Sequence, residues 1–67
     1  MQIKVTDQFT GHYGIYELDN LARDLSNINT TEEEDSLYLE IEDAFRENDW
    51  SKVAEISAQL KMDFEII

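Results

Sequence analysis

The sequence predicts an α+β domain. Three helices pack on a small antiparallel sheet of two or three strands formed by the N- and C-terminal segments, in the order β-ααα-β. Three observations predict it. The first residues alternate apolar and polar side chains, the middle of the chain shifts to a period near 3.6, and the last residues alternate again. With 67 residues, no proline and only two glycines, nothing reads as a linker, so residues 1–67 form one compact acidic domain. A chain this short buries only about 60% of the surface that its unfolded form exposes.

The elements follow in order. In Gln2 to Thr6, Ile3 and Val5 face one way and Gln2, Lys4 and Thr6 the other, as in a half-buried strand. The stretch "TGHYG" holds both glycines and predicts a turn, after which "YGIYEL" can pair back as a second strand. From Glu17 onward Leu18, Leu21, Ala22, Leu25 and Ile28 share one face of an amphipathic helix. "NINTT" ends that helix. A capping box, Thr30 with Glu33 or Thr31 with Glu34, opens a second helix running from about Thr31 to Glu47.

In that second helix Leu37, Ile41, Ala44 and Phe45 share a face, with Tyr38 at its edge and Leu39 pointing away. "SLYLEIE" also alternates as a strand would, but the upstream cap and the continuation through Phe45 favour helix. Asn48 and Asp49 cap a third helix, whose buried stripe is Trp50, Val53, Ala54, Ser57 and Leu60. Trp50 is expected at the junction of helices and sheet. "DFEII" then turns Phe64 and Ile66 inward and pairs with the first strand, tying down both ends of the chain.

Composition excludes several functions. Without cysteine there is neither a disulfide nor a thiolate metal site. No apolar run approaches the roughly 20 residues that cross a bilayer, and "MQIKVTDQ" is not a signal peptide, so the expected location is the cytoplasm. Sixteen acids against five bases give a net charge of −11, which disfavours direct contact with nucleic acid or an anionic membrane and calls for a basic partner. The Ca²⁺-loop pattern is absent, so neither a metal nor another cofactor is expected. His12, the only histidine, lies in "GHYG" with no nucleophile motif around it, and no catalytic residues are assigned.

The charge is concentrated. Thr31 to Trp50 holds nine carboxylates and one base, Arg46. Glu33, Glu40 and Glu47 recur every seven residues, which drifts only about 20° per step on a helix. Asp35 and Glu42 repeat the spacing on the other side of the polar face, with Glu32, Asp43 and Asp49 between. Like charges at i, i+4 each cost a few tenths of a kcal/mol, and lysines that would offset them are missing. A solvated face of an acidic protein is one account of this pattern. The other is a decoy. Glu32, Glu33, Asp35, Glu40, Glu42, Asp43, Glu47 and Asp49 would pair with Lys and Arg in a groove that otherwise holds nucleic acid. A third account makes the charge a matter of solubility and assigns the contact to Tyr13, Tyr16 and Leu39, as in a small adaptor.

In size, charge and layout the chain resembles the small phage-encoded anti-defence proteins, the anti-CRISPR and anti-restriction inhibitors, several of which mimic DNA. The resemblance spans the whole chain and rests on no single motif. It implies a non-enzymatic inhibitor acting in the host bacterial cytoplasm. Its partner would be a basic nucleic-acid-binding protein such as a CRISPR effector or a restriction enzyme.

Overall fold

In the computed structural model, residues 1–28 and 32–67 are described, without the side chains of residues 32–34. The chain folds as β1 (Gln2–Asp7), β2 (Tyr13–Glu17), a 3₁₀ turn (Leu18–Asn20), α1 (Leu21–Ile28), α2 (Glu32–Arg46), α3 (Trp50–Leu60) and β3 (Met62–Ile66). The sheet is antiparallel in the order β2-β1-β3, so β1 lies at the centre and both termini are paired within it. Ile3 lies opposite Tyr16 and Ile66, and Val5 lies opposite Gly14 and Phe64. This is the expected β-ααα-β arrangement, with the second strand present.

Local chemistry sets each connection. Asp7 Oδ1 accepts hydrogen bonds from the amides of Phe9 (2.7 Å) and Thr10 (3.2 Å), folding the chain back just after β1. Gly11, at φ +76°, supplies the left-handed residue that the return requires. The pair Asn48-Asp49 divides its work. Asn48 takes φ +57°, and the amides of Asn48 and Asp49 bond back to the carbonyls of Phe45 (3.3 Å) and Ala44 (2.9 Å), closing α2 in a Schellman motif. Asp49 then opens α3 by accepting from the Lys52 amide (3.2 Å). The capping boxes expected at Thr30 and Thr31 lie outside the described residues and side chains.

The helices cover one face of the sheet. Ile3 and Val5 meet Leu21, Ala22 and Leu25 of α1, Tyr38, Ile41, Ala44 and Phe45 of α2, and Val53 and Ile56 of α3 in one buried cluster. Residues 36–42 are helical, and Leu39 points outward as expected. Tyr38 is wholly buried rather than marginal. With Ile41 and Phe45 it forms an i, i+3, i+7 row that carries more apolar surface than a row centred on Leu37.

Five expected core positions are corrected. Leu18 falls in the 3₁₀ turn and is only half-buried, because the α-helix starts at Leu21. Ile28, at the end of α1, is 63% exposed. On α3 the buried row is Val53 and Ile56 with Leu60 partly covered, and Ala54 faces solvent, since turning Ile56 inward removes more apolar area from water. Trp50 is half exposed and meets Phe45 edge-on (centroids 5.9 Å apart), while Phe45 itself reaches Phe64 at the sheet (6.3 Å). Ile66 is likewise exposed, near the end of an edge strand with a neighbour on one side only.

Candidate functional site, an acidic helix face

The two carboxylate rows on α2 have different fates. Glu42 turns toward α1. Its Oε1 accepts from the Ala22 amide (3.2 Å) in the first turn of α1, and its Oε2 meets Arg46 Nη2 (3.2 Å), leaving the side chain 13% exposed. The Arg46 guanidinium also reaches Asp19 (3.1 Å), so one cation joins α2 to the 3₁₀ turn. A carboxylate at a helix N-terminus satisfies an orphan amide and the positive end of the helix dipole together. Glu42 therefore holds α1 against α2 and is paired within the fold.

Asp35, in the same row, is half-buried, and its buried Oδ1 has no hydrogen-bond partner among the described residues. Asp49 is exposed and serves as the N-cap of α3. Glu32 and Glu33 lie in the first turn of α2, and their side chains are outside the described set.

The other row stays open. Glu40 and Asp43 on α2, and Glu47 just after it, are exposed at i, i+3 and i+7. None of the three forms an ion pair among the described residues, where Arg46 pairs with Asp19 and Glu42, and Arg23 with Asp24. Lys4 and Lys61 lie over the rings of Tyr13 and Phe9. At a rise of about 1.5 Å per residue, Glu40 and Glu47 stand roughly 10.5 Å apart along the helix axis. Of the eight proposed contact residues, the structure brings Glu40, Asp43 and Glu47 together as an uncompensated ridge, and it assigns Glu42 and Asp49 structural roles as well.

The alternative contact residues also separate. Tyr13 and Leu39 are exposed, whereas Tyr16 packs against the core. A cavity of about 310 Å³ lies under the β1–β2 hairpin, where His12, Asp7 and Thr10 meet the apolar side chains of Val5, Leu25, Ile28 and Met62. Sequence reading missed this cavity, because its walls join the β1–β2 hairpin to residues of α1 and β3 that are distant along the chain. Among the described residues no three His, Asp or Glu side chains converge as metal ligands, and no helix is long and apolar enough to cross a membrane. Compared with protein-family models, curated proteins and solved structures, the chain matches none.

Proposed function

We propose that this chain is a non-enzymatic protein-binding inhibitor whose acidic face stands in for nucleic acid. It covers the DNA- or RNA-binding groove of a bacterial defence nuclease complex, as the resemblance to phage anti-defence proteins implies. One observation carries the reading: the exposed, unpaired ridge of Glu40, Asp43 and Glu47 on a helix that is anchored along its opposite side.

Duplex DNA presents one negative charge per roughly 1.7 Å of axis, and proteins that bind it place Lys and Arg to meet several phosphates. A stiff rod of carboxylates can occupy the same cationic channel, with charge-assisted hydrogen bonds where water is excluded. Because α2 is already folded, little ordering entropy opposes docking. Long-range attraction makes the encounter fast and strongly dependent on salt.

The test is capture of partners from bacterial lysate on the immobilised chain at low and high salt, followed by competition with duplex DNA. The triple variant Glu40→Lys, Asp43→Lys, Glu47→Lys is expected to fold and to bind the captured partner at least about 100-fold more weakly. The reading falls if the triple variant binds normally. It also falls if Tyr13→Ala or Leu39→Ala abolishes binding instead, the result that the adaptor account predicts.

A further inference from the structure

The hydrogen bonds at the two ends of the β1–β2 ladder fix which main-chain groups face outward. Leu18 N–H donates to the Met1 carbonyl (3.0 Å), and Asp7 N–H donates to the His12 carbonyl (2.8 Å). Bonded and non-bonded pairs alternate between them in an antiparallel ladder. Gly14 and Tyr16 therefore bond to β1, and the amides of Tyr13, Ile15 and Glu17 point away from the sheet. β2 is an edge strand, and no other bond among the described residues uses those three amides.

Edge strands are ordinarily blunted by lysine, proline or a bulge. Tyr13–Glu17 contains neither residue, and its register with β1 runs unbroken from Gln2↔Glu17 to Thr6↔Tyr13. Instead it is rich in residues that favour strands, with Tyr13 and Ile15 exposed on the sheet face that no helix covers. On the helix side, Gly14 and Tyr16 form part of the wall of the 310 Å³ cavity. A Cβ at Gly14 would lie 2.7 Å from the Tyr16 hydroxyl, so the glycine is what allows the tyrosine ring to lie across the strand there. Ile28, the last residue of α1, lines the cavity and is exposed, so the space opens to solvent there.

We propose that the β2 edge takes up an extended, basic segment of a partner protein as a fourth strand, with one apolar side chain of that segment seated in the cavity beside Gly14. Main-chain bonds supply affinity in this mode, and side-chain pockets supply selectivity. Charge selects the occupant. A second copy would bring a further −11, whereas a lysine- or arginine-bearing strand is drawn in by that net charge and runs alongside Glu17 on β2. The contact lies on the sheet and is independent of the α2 ridge.

The test uses the full ¹⁵N-labelled chain and a short capped peptide of alternating lysine and valine with one central phenylalanine. At saturation the amides of Tyr13, Ile15 and Glu17 are expected to exchange with solvent at least about tenfold more slowly. Replacing the central phenylalanine by alanine weakens binding. Ile15→Pro removes an outward N–H without breaking the β1 ladder, a substitution that edge strands tolerate, and abolishes the protection. Should that variant fail to fold, Ile15→Lys guards the same edge and is expected to give the same loss. The triple ridge variant retains strand addition. The proposal is overturned if protection appears at Met62, Phe64 and Ile66, or if the peptide perturbs only Glu40, Asp43 and Glu47. Dimerisation of the free chain through β2, or unchanged binding by the Ile15 variants, overturns it equally.

Discussion

Replacing Glu42 and Glu40 separately by alanine separates the two roles that one helix assigns to identical side chains. Both changes bring the same gain in intrinsic helix propensity, so the difference between them isolates the surroundings. Glu42→Ala removes the acceptor for the Ala22 amide and the i, i+4 partner of Arg46. Loss of a capping acceptor costs about 1 kcal/mol (roughly 0.5–2), and loss of a carboxylate at a helix N-terminus costs about 0.3–1 kcal/mol. These terms overlap because a single carboxylate supplies both, so a net cost of about 1–2 kcal/mol is the reasonable sum.

Glu40→Ala removes an exposed charge from a ridge of like charges and is expected to be neutral or slightly stabilising. For a domain of this size each kcal/mol moves Tm by roughly 4–8 °C, so Glu42→Ala should melt at least about 4 °C below Glu40→Ala. Thermal and urea unfolding followed by circular dichroism provide the measurement. If the two variants unfold together, the Glu42 carboxylate is not holding α1, and the division of α2 into an engaged and an open side is wrong.

Two other outcomes are expected. Asp49→Ala removes the N-cap of α3 and should lower stability by about 1 kcal/mol, with Asp49→Asn recovering most of the loss because its amide oxygen still accepts from Lys52; equal destabilisation by both would place the effect elsewhere. Because −11 is spread over a small surface, Tm should rise as added NaCl shortens the screening length from about 30 Å at 0.01 M to about 8 Å at 0.15 M; a Tm independent of salt would show that self-repulsion is negligible.

The element order was legible in the sequence because periodicity is a local property. Alternation at Gln2 to Thr6, a 3.6 period through Leu21, Ala22 and Leu25, and Asp49 ahead of a helix each follow from neighbours a few residues away. The outward direction of Leu39 followed from the same period. Boundaries were less legible. Leu18 and Ile28 fit the α1 stripe by spacing, yet burial depends on what lies opposite, and at the ends of so short a helix little does. The exchange of Ala54 for Ile56 has the same origin, since two overlapping stripes satisfied one period and the sheet selected between them.

The sequence alone thus determined the class of fold, the number of helices and the placement of excess negative charge on α2, all of which depend on composition and short-range spacing. Only the tertiary structure decided which carboxylates remain available. Glu40 and Glu42 differ little in local context, but a helix turn near Ala22, twenty residues upstream, presents an unsatisfied amide to one and not to the other. Contacts of that range leave no periodic trace in the chain.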